Sequence, residues 1–528
     1  MSEMIASYIN GFSTAYFIRQ SAVIILMFMI GYLILLWIDK GRLSLYEMLL
    51  CFPVGISAYS LSVFVLLVLG IPFNRISIGC MLLAIVIVSL TGIRKYKYID
   101  GIRQMKPLIC LITLLFIASV SVSGLLPVSV SNDSMYYYSM YPHAITHFGV
   151  LRMQFNVFLT DVGQTSAILN TLPFVFGYNE GFGVQWFLNI NTLLIVAYGL
   201  YDASAPVMKR RESLIATALM TGILLVSMPY LVMSKWVMSN GYFMCFVFIC
   251  TYTAWKYGRS AAGGEDSICG NKAVLAVLFP MMALLRMEGC IIALVLVLCL
   301  ATLKGYTGRE LFVIFLLPVL TVSVLYDIRI FVIMNIDAPY TFLTQTKALI
   351  QIAAIVTVSG YVLFLRGKII NRYLFFLIPA GLVCINGVLF MMNGTLYLDN
   401  MKTFVANISN QSGWGLFPML VIGIYVMCLI AGNGKDDKEL KENEPSAVFG
   451  DENKHLAAGS AFWDLCFVSY ILTALAVSFA REDALVENVA DSGNRVMLQV
   501  TLIAFFTVAQ HLIALAGNNG EKDNIIKN

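Results

Sequence analysis

Residues 276–300 read AVLFPMMALLRMEGCIIALVLVLCL, two apolar runs hinged on Arg286 and Glu288. Each run alone is short for a lipid crossing, which takes about 20 apolar residues to span a hydrocarbon core of about 30 Å. The stretch also carries an arginine and a glutamate where, at the centre of a bilayer, an ion costs about 2.5–3.5 kcal/mol on insertion scales. Ions at such depth face a cavity or a partner. Two readings stand side by side: the pair serves a site, or it neutralises itself at a turn.

Outward from this stretch the same texture fills the chain. Of its 528 residues 59% are hydrophobic and only 12% charged, and the mean hydropathy is +0.82. Soluble domains carry about 25% charged residues, so too little polar surface is left to clothe a globule in water. Apolar stretches recur near 21–38, 48–70, 76–93, 107–128, 185–202, 213–233, 239–255, 273–285 and 289–303, and again near 310–331, 347–365, 373–393, 414–431, 461–480 and 495–514. The expected fold is all-α: a polytopic integral membrane protein of about 13–15 transmembrane helices. The first run lacks a basic start and a small-residue cleavage site, so it is expected to stay as a span. Most cysteines, such as Cys51, Cys290 and Cys299, lie inside apolar runs, where a thiol behaves as a small hydrophobe. No CxxC or Cys/His spacing points to zinc.

The net charge of +4 excludes little; its distribution is informative. Alternate connections hold Lys40 and Arg42, the basic residues of 94–106, Lys209 to Arg211, and Lys256, Arg259 and Lys272. The series continues with Lys304 and Arg309, the 366–372 group, the lysines of 435–454, and Lys522 and Lys527. Together these are 24 of the 34 basic residues. By the positive-inside rule this side is cytoplasmic. A multi-pass protein of the cell (plasma) membrane is expected, with its C-terminus in the cytoplasm and, for an odd number of spans, its N-terminus outside. Residues 432–460 are charged and poor in hydrophobes, the composition of a flexible cytoplasmic linker.

The longest external segment, 129–184, is aromatic-rich and begins around VSVSNDSMYYYSMYPHAITHFGVLRMQF (128–155). At helical spacing Tyr137, Met140, Tyr141, Ala144, Ile145 and Phe148 share one face, and Ser139, His143, Thr146 and His147 another. That is the pattern of a helix lying in the interface, with Pro142 kinking it or starting a second turn. A second short helix is expected at SAILNTL, with Asp161 and Gln164 spaced as a capping box and Pro173 after it. Asp133, at the mouth of the loop, reads either as an N-cap or as a carboxylate at the membrane–water boundary able to deprotonate an incoming hydroxyl. His143 and His147 have the spacing of a two-histidine metal site, the one place where a divalent metal is considered; polar surface is the plainer reading. Lys235, in VMSKWVMSNGY (232–242), suits an interfacial lysine that snorkels. Arg495 starts the last span, where a guanidinium either anchors at the interface or binds a phosphate by a forked pair of hydrogen bonds.

An aspartate opening the first large external loop (Asp133), an aromatic interfacial helix ending in glycine (Tyr137, Tyr138, Gly149), an Arg-x-Glu-Gly turn (Arg286, Glu288, Gly289) and a Gly-x-Arg at the last helix (Gly493, Arg495) occur in that order. Together they resemble the GT-C membrane glycosyltransferases that use polyprenyl-phosphate-linked sugars, in their prokaryotic branch similar to dolichyl-phosphate-mannose-protein mannosyltransferases. The resemblance covers roughly residues 107–514. It implies that Asp133 is the catalytic base, that Arg286, Arg495 and Lys235 hold the lipid phosphate, and that Glu288, Tyr137 and His143 bind substrate. It implies a polyprenyl-phosphate sugar donor, a glycan, lipid or protein acceptor, the bilayer as surroundings, and no part for nucleic acid. It also divides the chain into additional N-terminal helices (1–106), a membrane core with the external loop (107–431), the linker (432–460) and a C-terminal helix pair with its tail (461–528). No phosphate-cradling glycine loop is present, and lipid-phosphate chemistry needs none. A polysaccharide polymerase or ligase, or an exporter of lipid-linked glycans, is the competing expectation, because its spans and loops have similar statistics.

The charge pattern makes a direct expectation. In intact cells an impermeant thiol reagent should label Ser166→Cys and spare Ser446→Cys; the reverse result would invert the orientation.

Overall fold

The computed structural model describes residues 14–39, 43–92, 105–124, 140–149, 165, 167–177, 183–235, 238–262, 272–286, 288–333, 335, 344–366, 370–409, 416–433, 452–480 and 492–526. At several helix ends, Lys235 and Arg495 among them, the description extends to the backbone alone. Among the described residues every regular element is a helix. Nine helices are long and apolar enough to cross a membrane, running from Gln20–Ile38 to Leu498–Ala516. Four shorter apolar helices accompany them: Arg75–Thr91, Lys272–Leu285, Gly289–Ala301 and Phe417–Ala431. The architecture is that of an all-α, membrane-embedded protein, the arrangement in which a chain satisfies its own backbone polar groups in lipid.

Several segments differ from the sequence expectation for local reasons. The stretch 213–233 is broken into Arg210–Leu225 and Met228–Lys235. The break falls at Ser227, whose Oγ donates to Leu224 O at 2.7 Å, and Pro229 sits in the following first turn, where no N–H is required. An additional helix, Gly394–Ser409, follows the Tyr373 span, with Leu398, Met401 and Val405 exposed and Asn400, Thr403 and Phe404 buried. The helix Glu452–Ala480 starts inside the stretch read as linker. In the loop read as external Pro142 opens the helix Tyr141–Phe148, and Pro173 lies within the short helix Thr171–Val175 rather than after it.

The chain forms two compact units, one from Met1–Gln104, Ala118–Thr192 and Val232–Leu374, the other from Met105–Ile117, Leu193–Leu231 and Phe375–Asn528. In the first, Leu45–Val68 is a central helix. Its N-terminus is closed by a capping box: Glu47 N–H donates to Ser44 Oγ at 3.3 Å and Ser44 N–H to the Glu47 carboxylate. It meets Thr14–Ile38 backbone to backbone, because a methyl on Gly31 would overlap the carbonyl of Cys51 and one on Gly55 that of Met27. Pro53 lies inside this helix and has no N–H for the Leu49 carbonyl one turn back. Asn191 supplies the missing donor, its Nδ2 lying 2.8 Å from Leu49 O. A helical hairpin, Leu275–Leu285 and Gly289–Ala301, is fastened at its base by Lys272, whose Nζ donates to Gly305 O at 2.7 Å and to Glu310 Oε1 at 2.8 Å.

In the second unit Glu452–Ala480 packs on Ser492–Ile526, with Trp463 against Phe506 at 4.5 Å. Asp464 is held there by His511 at 2.8 Å and by the Tyr425 hydroxyl at 3.0 Å. An acid within apolar helices thus has two partners on neighbouring helices, as its desolvation requires.

The Pro53–Asn191 pairing can be measured by a double-mutant cycle. Asn191→Leu is expected to destabilise the detergent-solubilised protein by about 1–3 kcal/mol, the cost of an orphaned buried carbonyl. In a Pro53→Ala background, where the backbone N–H regained at position 53 reaches Leu49 O, the same change should cost clearly less; equal costs in both backgrounds would refute the pairing.

Candidate functional site

The two arms of the hairpin contain 11 and 13 residues, about 17 and 20 Å at 1.5 Å per residue. Neither arm alone is long enough to cross a hydrocarbon core about 30 Å thick. The chain turns between the arms because Arg286 leaves helical geometry (φ −143°, ψ 158°), and Gly289 N–H closes the turn on Arg286 O at 2.9 Å. Glycine is required next, since a Cβ at 289 would run into the carbonyls of Met282 and Ala283 on the opposite arm.

The tip is buried and ionic. Arg286 is 4% exposed and Glu288 2%. Arg286 Nε lies 2.5 Å from Glu288 Oε1, and Nη1 donates to Ser239 Oγ at 2.6 Å and to Asn240 Oδ1 at 2.9 Å. Ser239 and Asn240 begin the helix Ser239–Ala262, so one guanidinium ties a helix start to the hairpin tip. Its Nη2 has no hydrogen-bond partner among the described residues.

Polar groups continue around the tip. Met238 N–H donates to Gln185 Oε1 at 2.8 Å, the Cys245 thiol to Asn189 Oδ1 at 3.1 Å, and the Tyr242 hydroxyl to Asn170 Oδ1 at 2.9 Å. The last part of the loop is fastened here as well. Thr165 N–H donates to Leu284 O at 3.3 Å, and Thr171 Oγ1 lies 2.8 Å from the Tyr59 hydroxyl. The loop read as external is thereby joined to the turn that carries Arg286 and Glu288.

Two further ionisable residues lie on a span that packs against the hairpin. The span Gly308–Ile333 starts at the hairpin base, through Glu310 and Lys272, and carries Asp327 and Arg329 near its other end. Its backbone widens to a π-helix over Ile328–Ile333, a local form frequent at functional sites. The helix Leu317–Asp327 packs against the hairpin arm Leu275–Leu285. Asp327 Oδ2 and Arg329 Nε are buried atoms with no hydrogen-bond partner among the described residues. Sequence reasoning passed over this pair, although the insertion cost that singled out Arg286 and Glu288 applies equally inside 310–331. Ser239 and Asn240 carried no comparable signal, being two small polar residues in a turn.

The remaining sequence candidates fall as follows. Asp133 and Tyr137 lie outside the described residues. Lys235 ends the helix Met228–Lys235, four residues before Ser239, and Arg495 lies in Ser492–Ile526, in the second unit. His143 is exposed and lines a separate cavity with Arg75 and His147. The two histidine rings stack 6.3 Å apart and 7° from parallel, and among the described residues no third His, Cys, Asp or Glu joins them in a metal-binding group. No family model, curated protein or solved structure matches the chain.

A pair substitution separates folding from function at the tip. Glu288→Gln alone should destabilise the protein by about 3–5 kcal/mol, the cost of stranding a buried charge, whereas Arg286→Met with Glu288→Met should recover most of it. Thermal unfolding in detergent reads both; a double variant as unstable as the single one would contradict the ion pair.

Proposed function

We propose that this protein is a membrane glycosyltransferase that moves a sugar from a polyprenyl-phosphate-linked donor to an acceptor at the external face of the plasma membrane, with its C-terminus cytoplasmic. The observation that carries the reading is the Arg286 guanidinium, buried at the end of a short hairpin and joined through Leu284 O to the loop that Asp133 opens.

In this mechanism the acceptor oxygen attacks the anomeric carbon while Asp133 takes the hydroxyl proton. The bond from the anomeric carbon to the phosphate oxygen breaks, and polyprenyl phosphate departs with one negative charge more than the phosphodiester carried. Arginines fixed before the reaction stabilise that growing charge without reorganising, and holding acceptor and donor together supplies the proximity the step needs. Arg286 is assigned to the phosphate with Lys235, Glu288 orients Arg286, and Tyr137 and His143 belong to the substrate-facing surface of the loop. Polar groups contributed by several helices around the tip suit an acceptor rich in hydroxyls, of the glycan class.

Asp133→Asn tests this. Asparagine caps a helix about as well as aspartate but cannot accept the proton. The variant is expected to insert and accumulate normally and to lose transfer from polyprenyl-phosphate sugar by about 10²-fold or more. Transfer near the wild-type rate would reduce Asp133 to a cap and remove the base from the proposal.

A further inference from the structure

A second site lies away from the hairpin tip, where the helix Arg75–Gly92 meets the interfacial helix Tyr141–Phe148. Phe73 N–H donates to Gly149 O, joining the two segments. Between them is a cavity of about 360 Å³ lined by Asn74, Arg75, His143, Thr146, His147, Phe174, Val175 and Gly177. Its size falls within the usual range for small-molecule sites, about 300–1,000 Å³. Among the described residues one guanidinium and two imidazoles line it and no carboxylate does.

The donors here are held ready. Asn74 Oδ1 already accepts from Ile76 N–H and Ser77 N–H at 2.9 Å each, so the helix start is capped. Arg75 spends Nε on Val175 O at 3.1 Å, which holds the guanidinium against Gly177 and leaves its two terminal nitrogens for another group. His143 stacks on His147 and sets its edge against Phe174 at 5.6 Å. Apolar residues next in sequence to those that line the cavity are exposed: Ile76 is 77% exposed, Phe176 51% and Phe148 41%. Along the same helix Leu83, Ile87, Val88 and Leu90 are exposed, the surface of a lipid-facing helix.

We propose that this cavity binds the phosphate of a membrane lipid, with Arg75 gripping the phosphate by its terminal nitrogens, His143 and His147 donating beside it, and the exposed apolar neighbours packing on the chain. A guanidinium fork matches phosphate geometry, and exposed apolar neighbours against a bilayer favour a phosphate that carries hydrocarbon over a free one. The assignment rests on the cavity and its exposed apolar neighbours; it shares His143 with the transferase reading, but binding of a phosphate lipid here is read without transfer and can stand or fall separately from it. The lipid is either a bilayer phospholipid or a polyprenyl phosphate, which share this chemistry.

Binding to the full-length protein in uncharged detergent decides it. The probes are dioleoyl phosphatidic acid and a polyprenyl phosphate, with diacylglycerol and free polyprenol as phosphate-free controls and inorganic phosphate as the soluble form. At least one phosphate lipid is expected to bind about ten-fold or more tightly than its control and than inorganic phosphate. Arg75→Gln should remove most of that preference, and whichever lipid loses it is the occupant. The surface variant His143→Gln with His147→Gln should weaken binding several-fold and serves where Arg75→Gln fails to fold. Equal binding of phosphate lipids and controls by the wild type, or unchanged preference in folded variants, overturns the proposal. Inorganic phosphate binding as tightly as the lipids overturns its lipid part.

Discussion

Arg286 and Glu288 form an ion pair that cannot be left open. Both are buried at the tip of a hairpin whose arms are almost wholly apolar. Removing either partner strands a charge in a low-dielectric interior. The surrounding architecture is the answer to that constraint. A helix begins at Ser239 and Asn240 where its first side chains can accept from the guanidinium. Gly289 lets the two arms approach, and Thr165 brings the end of the long loop onto the Leu284 carbonyl. A site that must hold an anion near lipid needs a fixed cation, and the elements that neutralise this arginine also fix it in place.

The same accounting of polar groups recurs elsewhere. Pro53 frees a backbone carbonyl in the central helix of the first unit, and Asn191 from another helix satisfies it. Asp464 in the second unit draws His511 and Tyr425 toward it. In each case an unfavourable residue in an apolar helix specifies which neighbour must stand beside it and in what register, information that hydrophobic packing alone does not carry. Asp327 and Arg329 depart from this pattern, with buried atoms that take no hydrogen bond among the described residues.

Much of the fold was legible because hydropathy and length report directly on lipid crossing. Among the described residues the thirteen apolar helices, nine long and four short, all fall on stretches visible in the sequence. What escaped was local. The break at Ser227 depends on a side-chain hydrogen bond to Leu224 O, and the start at Glu452 lies in a charged segment whose composition argued for a linker. The amphipathic helix Gly394–Ser409 is too polar for a hydropathy window. At the site, Arg286 and Glu288 stood out by their cost, whereas Ser239, Asn240 and Gln185 became visible only once three separate helices were brought together. Arg75 and His143 lie far apart in the sequence, and their meeting in one cavity is a long-range fact that no local pattern encodes.

The central claim, that lipid phosphate is handled at the hairpin tip, is tested most directly by photolabelling. A polyprenyl phosphate with a diazirine on the isoprene nearest the phosphate would be photolysed with the purified protein and the labelled peptides mapped by mass spectrometry. Label is expected on peptides covering 284–290, and it should fall when Arg286 and Glu288 are both replaced by Met. Label confined to helices of the second unit such as Phe417–Asn433, with none at the hairpin tip, would contradict the account.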